Sequence, residues 1–123
     1  MDNQYVINED AKSRVVETMK NELSGIADVS GYAFDMDIFS IEMRIMGWRN
    51  GWANIDRGPM GLVFSVGTGV NELLAQKQTS IMPNDKFWLL LNSDDSLLKD
   101  ISKTIKELVG KAKQKALKSG VEL

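Results

Sequence analysis

Residues 41–56 read Ile-Glu-Met-Arg-Ile-Met-Gly-Trp-Arg-Asn-Gly-Trp-Ala-Asn-Ile-Asp, and this stretch decides the fold. Apolar and polar side chains alternate before residue 46 and again after Gly51, which is the period of a strand with one buried face. Between the two runs, Asn50-Gly51 is a strong hairpin signal. The stretch therefore predicts two antiparallel strands joined by a loop rich in tryptophan.

The pairing of these two strands can be chosen from side-chain chemistry. A two-residue Asn-Gly turn would place two arginines opposite each other, which is unfavourable. A three-residue loop that ends at Gly51 pairs Trp48 with Trp52 instead. It also sets Arg44 opposite Asp56. We predict this second register, in which one face carries Ile41, Met43, Ile45, Ala53 and Ile55.

The flanking segments extend the pair to a meander. The alternation begins at Tyr32 and slips by one residue at Phe39-Ser40. Because no Gly, Pro or Asn lies at the slip, we predict one long strand with a β-bulge there. After the hairpin, Gly58-Pro59 is a turn signal, and residues 61–67 predict a mostly apolar strand bounded by glycines.

Helices are predicted before, within and after the strands. Asn8 is a capping residue, and we expect a helix from there to about residue 24, stopped by Gly25. Residues 68–78 predict a short middle helix. A long helix is expected from Asn92 to about residue 119. Its apolar stripe comprises Leu98, Ile101, Ile105, Leu108, Val109, Ala112 and Ala116.

Two points of this layout have alternatives. Residues 86–91 hold an apolar run that fits a buried strand or the entry to the last helix, and the helix start that follows favours a strand. Gly110 can end the last helix, which would leave residues 111–123 as a mobile tail. The prediction is a single α+β domain over residues 1–123: an antiparallel β-meander of four to five strands, packed by an N-terminal helix, a short middle helix and a long C-terminal helix.

Composition narrows the functional classes. The chain has 123 residues and contains neither cysteine nor histidine. Disulfides, thiolate or imidazole metal sites, a cysteine nucleophile and a Ser-His-Asp triad are therefore excluded. We expect no enzymatic activity, no catalytic residue and no cofactor. No apolar run approaches the ~20 residues of a membrane span, and a secretory signal pattern is lacking, so a cytoplasmic protein is expected.

Charge is distributed unevenly along this small acidic chain. Residues 1–98 carry 8 basic and 14 acidic side chains, whereas residues 99–123 carry 7 lysines and 3 acids. Such a tail can dock on an acidic partner or on a second copy. Nucleic acid is disfavoured as a partner because the tail lacks arginine and interleaved aromatics. We predict a homodimer, formed by an overhang of the C-terminal helix that carries Ala112 and Ala116 or by an open strand edge.

The hairpin tip is the candidate binding site. Tryptophan and arginine are the residue types most enriched among binding hot spots. The predicted contact residues are Met46, Trp48, Arg49 and Trp52. We predict a non-enzymatic protein-interaction module with a regulatory role, such as an inhibitor, adaptor, chaperone-like protein or assembly subunit. It would bind a protein partner through the aromatic hairpin and the sheet surface.

An alternative function is the binding of a small anionic ligand or a nucleotide. The pocket would be lined by Arg44, Arg57, Trp48 and Trp52. Gly67-Thr68-Gly69 offers a second, weaker anion site ahead of the predicted middle helix, but it fits neither the P-loop nor the dinucleotide fingerprint. Asp35 and Asp37 share one predicted strand face without the further oxygen ligands that Mg²⁺ or Ca²⁺ requires, so no metal site is predicted.

Overall fold

The structure, a computed structural model, describes residues 9–35, 38–70, 72–84, 86–88 and 96–123. It has the predicted α+β architecture, in which five antiparallel strands follow one long helix in the chain and precede another. The elements are α1 Glu9–Glu22, β1 Ala27–Phe34, β2 Phe39–Ile45, β3 Gly51–Arg57, β4 Leu62–Thr68, β5 Glu72–Gln78 and α2 Ser96–Ser119. A short helical segment at residues 86–88 lies between β5 and α2.

The strands pair in chain order, from β1 to β5, and each is antiparallel to the next. Alternate side chains of the three central strands are buried, as the period of two predicts. These are Phe39, Ile41, Met43, Ile45, Ala53, Ile55, Leu62, Phe64 and Val66. They form one core with the buried sides of both helices. Both helices therefore lie on the same face of the sheet.

The N-terminal helix forms as its sequence predicts. Glu9 and Asp10 lie in its first turn, where their carboxylates favour the positive end of the helix dipole. Val15 and Met19 are completely buried under α2 and the sheet. The helix ends before Gly25, whose φ of 81° is left-handed.

The C-terminal helix buries the predicted stripe. Six of its seven members are buried, and Val109 is partly buried against the same core. Ser102 is also buried, and its hydroxyl donates to Sδ of Met19 at 3.3 Å, which ties α2 to α1. The helix is continuous through Gly110, and the N–H of Val121 donates to the carbonyl of Ala116 at 2.9 Å to close its end.

The predicted overhang of α2 is not formed. Ala112 and Ala116 have no exposed surface, because α2 packs against β4 and β5 and both alanines belong to the core. Leu117, by contrast, is 69% exposed on the outer side of the helix. A dimer contact through the two alanines is therefore closed off within a single copy.

The single long strand predicted from Tyr32 onward is wrong. The chain reverses between β1 and β2, and Asp35 and Ile38 exchange two backbone hydrogen bonds of 2.9 and 3.3 Å. Phe34 pairs with Phe39 beside this reversal, with ring centroids 5.1 Å apart in the core. The parity slip therefore marks a hairpin rather than a bulge, and burial of two aromatic rings on one face favours the reversal without glycine or proline.

The predicted register of β2 and β3 is wrong by four residues. Arg44 lies opposite Trp52 rather than Asp56, and Met43 lies opposite Ala53. The connecting loop spans residues 46–50, because Trp48 turns back to pack against the core. A shift by an even number keeps every side chain on its face, so the predicted set of buried residues is confirmed.

The middle helix lies elsewhere than predicted. Thr68 ends β4 and Glu72–Gln78 form β5 instead, with a register shift between Val66 and Gly67. The helical residues are 86–88, where the side-chain oxygen of Asn84 accepts the N–H of Phe87 at 3.1 Å. The strand favoured for residues 87–91 is therefore wrong for Phe87 and Trp88, which are helical and buried. The rest of that run lies outside the described residues.

Candidate functional site

The face of the sheet opposite the helices is the largest candidate site. We call it the open face, because neither of the two long helices packs on it. The register places on it Asp28, Gly31, Ala33, Ser40, Glu42, Arg44, Trp52, Asn54, Asp56, Val63, Ser65, Gly67, Leu73, Gln76 and Gln78. Most of these side chains are polar, as is typical of an antiparallel sheet with one solvated face.

Trp52 is the largest side chain of the open face and is held firmly. Trp52 pairs with Gly67 of β4. A Cβ built on that glycine would lie 2.8 Å from Cε2 of the indole. The ring therefore rests directly on the backbone of β4. The indole N–H donates to the carbonyl of Gly69 at 3.1 Å, which fixes its orientation. Trp52 is half-buried, so part of the ring remains available for contact.

Two exposed aliphatic side chains extend the apolar surface beside this ring. Val70 is 91% exposed in the β4–β5 turn, and Leu73 is 42% exposed at the start of β5. With Trp52 they line a shallow concave surface of about 480 Å³. We call these three residues the Trp52 patch. Its polar border includes Asn54 and Ser65, which gives the apolar centre and polar rim of a protein interface.

The charges of the open face are concentrated on the β1 to β3 side. Asp28 lies opposite Arg44, and Arg44 lies opposite Trp52 on its other side. Glu42 and Asp56 lie further along, and the hydroxyl of Ser40 donates to Oδ1 of Asp56 at 3.0 Å. The paired residues of the open face thus carry three carboxylates and one guanidinium, so its potential favours cations.

The four predicted tip residues do not form one surface. Met46 and Arg49 are exposed in loop 46–50, whereas Trp52 lies on the open face. Trp48 is on the helix side of the sheet, where it packs against the core and against Gly51. A Cβ on that glycine would lie 2.6 Å from Cε3 of the Trp48 ring. The predicted cross-strand pair of tryptophans is therefore not formed.

The residues predicted to line the anion pocket are not brought together either. Arg44 and Trp52 are neighbours, but Arg57 ends β3 five residues after Trp52, at about 17 Å along an extended strand. Trp48 faces the opposite side of the sheet. These four side chains do not line a common cavity.

The weaker candidate sites have different surroundings from those predicted. Thr68 ends β4 and Gly69 lies in a hairpin turn, where its N–H already donates to the carbonyl of Asn50 at 3.0 Å. The amides of a helix N-terminus are thus not present at this position. Asp35 follows β1, and Asp37 lies outside the described residues. Within the described ranges, no group of three or more acidic side chains could hold a metal ion.

A second concave surface lies where loop 46–50 meets the end of α2. It measures about 740 Å³ and joins Arg49 and Asn50 of the loop to Lys113 and Leu117 of the helix. Sequence reasoning identified Arg49 but not its cationic neighbour, because the two residues are far apart in the chain. Their common surface depends on how the helix packs across β4 and β5.

Neither a family model, nor a curated protein, nor a solved structure matches this chain. In the part of the chain that the structure describes, no helix has the length and apolar character needed to cross a membrane. The function is therefore inferred from the chemistry of the open face and of the loops beside it.

Proposed function

We propose that the protein is a non-enzymatic interaction module that binds a protein partner through the open face, with the Trp52 patch as its anchor. The observation that carries this proposal is the patch itself, an apolar cluster on an otherwise polar face. Exposed apolar clusters with a polar rim are typical of surfaces that a partner covers. Such a module would act by contact, as an inhibitor, adaptor, chaperone-like protein or assembly subunit does.

The fixed indole supports an anchoring role. A side chain already held by Gly67 and by the carbonyl of Gly69 loses little rotamer freedom when a partner covers it. Tryptophan is also the residue type most often found to dominate the energy of an interface. The surface around it presents amide and hydroxyl groups, from Asn54 and Ser65, rather than an acid–base pair. This chemistry favours recognition over turnover.

The charge pattern defines the partner more closely. The acidic side of the open face, with Asp28, Glu42 and Asp56, suits lysine or arginine side chains on the partner. The Trp52 patch suits an apolar side chain of the partner. Trp52 lies two strands from Asp28, so this side chain would lie about 10 Å from the partner's basic group there. We therefore propose a partner surface that combines an apolar anchor with a basic flank.

The experiment compares aspartate substitutions inside and outside the patch. The full chain is immobilised, bound proteins are identified by mass spectrometry, and affinities for the captured protein are then measured. Val70→Asp and Leu73→Asp are expected to weaken binding at least tenfold, or by about 1.4 kcal/mol. Met60→Asp is the matched control, since Met60 is 71% exposed in the β3–β4 loop away from the patch.

All three substitutions lie on exposed side chains and are expected to leave the unfolding midpoint within about 2 °C of wild type. Equal affinity for the patch variants and the Met60→Asp control would contradict the proposal. Loss of binding in all three would place the contact elsewhere on the surface.

A second candidate function is the binding of a small anion, which the cavity with Arg49 and Lys113 favours. This surface is lined by two cationic side chains and one carboxylate, Glu122, so its side chains carry a net positive charge that attracts carboxylates or phosphates. A thermal-shift series with inorganic phosphate, acetate and adenosine nucleotides tests it, because a ligand at 100 times its Kd adds about 2.7 kcal/mol of stability. The gain is expected to vanish in Arg49→Ala and to persist in Lys77→Ala, whose lysine lies on β5.

Two further properties belong to this proposal. A cytoplasmic location remains a prediction from the sequence. The homodimer is also a prediction from the sequence. Ala112 and Ala116 are buried within one copy and cannot form its contact. Self-association is therefore left to an edge of the sheet.

A further inference from the structure

The outer edge of β1 is suited to pair with another strand. Among the described strands, β1 pairs only with β2, so the alternate backbone N–H and C=O groups along its outer side have no strand partner there. Its eight residues include one charge, Asp28, and neither lysine nor proline, which are the usual protection of an edge. The opposite edge, β5, carries Glu72 and Lys77 and is flanked by α2.

We propose that two copies of the chain pair through antiparallel β1 edges and form a homodimer with one continuous ten-stranded sheet. The two-fold axis would run perpendicular to the sheet, so each face of one copy continues as the same face of the other. This contact is separate from the Trp52 patch, which lies on β3, the β4–β5 turn and β5, with β2 between.

The irregularity in β1 makes full overlap of the two strands possible. Pairing all eight residues sets Ala27 opposite Phe34 of the second copy. In a regular strand these residues would point to opposite faces, because their numbers differ by an odd count. The register shift between Val29 and Gly31 corrects this parity, since Ala27 and Phe34 both pair with core-facing residues of β2 and both are buried. In this register the side chains on both sides of the shift therefore point to matching faces, and Ser30 and Gly31 of the two copies lie opposite each other at its centre.

The side chains agree with this register. Tyr32 is 53% exposed on the helix side, stacked on Phe34 at 5.3 Å, and the pairing sets it against half-buried Val29 of the second copy. On the open face, Asp28 falls opposite Ala33 of the second copy. The two Asp28 carboxylates therefore do not face each other, and Tyr32 gains apolar cover that one copy does not provide.

The test uses one exposed position and two opposite charges. Ala33→Asp places a carboxylate opposite Asp28 of the second copy, twice per dimer by symmetry. Like charges on directly opposed residues are expected to raise the dimer Kd by about 2- to 30-fold. Ala33→Lys places an opposite charge there and is expected to keep or tighten the dimer. Gln76→Asp and Gln76→Lys on β5 are the matched controls, which are expected to leave the Kd unchanged.

Sedimentation velocity or light scattering on the full chain measures the mass and the Kd. Wild type is expected near twice 13.7 kDa at about 100 µM. A wild-type mass of one copy at that concentration would overturn the proposal, and so would equal effects of Ala33→Asp and Ala33→Lys. Partner binding distinguishes the two proposals, because Ala33→Asp is expected to retain the Trp52 contact and Val70→Asp is expected to remain a dimer.

Discussion

Substitution of Gly67 by alanine tests how the Trp52 patch is built. A Cβ at this position would overlap the backbone oxygen of Glu72 on one side and the indole of Trp52 on the other. The Glu72 oxygen belongs to the β4–β5 hairpin and moves only with that hairpin. The ring would have to leave the surface of β4, which would break its hydrogen bond to Gly69.

The loss of stability in Gly67→Ala follows from these overlaps. Overpacking of a close-packed site costs about 1–3 kcal/mol, and the backbone overlap places Gly67→Ala in the upper part of that range. At about 2.1 cal/mol/K of unfolding entropy per residue, each kcal/mol lowers the Tm of a chain of 123 residues by roughly 4 °C. We expect Tm to fall by about 8–12 °C.

Thermal unfolding followed by circular dichroism measures this shift, and Gly110→Ala is the matched control. Gly110 is exposed on α2 and has nothing within 4 Å of a built Cβ, so alanine there is expected to add about 0.5–1 kcal/mol and 2–4 °C. In a Trp52→Ala background, the cost of Gly67→Ala should fall but not vanish, because the overlap with Glu72 remains. A Tm for Gly67→Ala within 2 °C of wild type would refute the close contact between the indole and β4.

Three further outcomes are expected. Ile105→Ala removes a fully buried side chain and should cost about 2–5 kcal/mol in urea unfolding, whereas Leu117→Ala on the exposed side of α2 should cost less than about 0.5. Gly61→Ala should fail to give a cooperative thermal transition, because φ is 148° and a Cβ would overlap the backbone of Thr79. Trp48→Ala should lower Tm by roughly 8 °C, since a half-buried ring contributes about 2 kcal/mol to the core. The affinity for the partner should be unchanged. An unchanged Tm with a loss of affinity would instead support the hairpin tip as a contact site.

The alternation in residues 41–56 predicts which side chains are buried but not which residues face one another. Ile41 and Ile55 are on the same face in the predicted register and in the observed one, because the two differ by an even shift. The shift depends on Trp48, which packs against the core and lengthens the loop. The core is built from elements that are distant in sequence, so local pattern cannot predict this packing.

The other errors have a common physical origin in parity changes. The slip at residue 39 predicts a bulge, but the chain reverses there, and the register shift lies in β1 between Val29 and Gly31. Val70, Leu73 and Leu74 have the spacing of a helix, but in β5 Leu73 lies on the open face and Leu74 is buried, as alternation along a strand predicts, and the register shift leaves Leu74 between the paired residues Leu73 and Ala75. A bulge and a helical period give similar short patterns, and only pairing with a neighbour separates them.

The candidate site was only partly predictable for the same reason. Trp52 was identified by its residue type, and the structure places it on the open face. Val70 and Leu73 lie in a stretch whose pattern predicts a helix, so the sequence does not predict their position beside the indole. The neighbourhood of Arg49 and Lys113 depends on the packing of α2 and has no local signal in the chain.

The order of the strands has a consequence for how the chain folds. Every strand pairs with the next one along the chain, so the sheet can form from local contacts, which favours rapid folding. The core closes later, because the contact between Met19 and Ser102 joins residues 83 positions apart. A ribosome makes the five strands before the final 24-residue helix, and until that helix emerges one apolar side of the nascent sheet has no cover. The interval between synthesis of residue 78 and of residue 119 is thus when aggregation competes most strongly with folding.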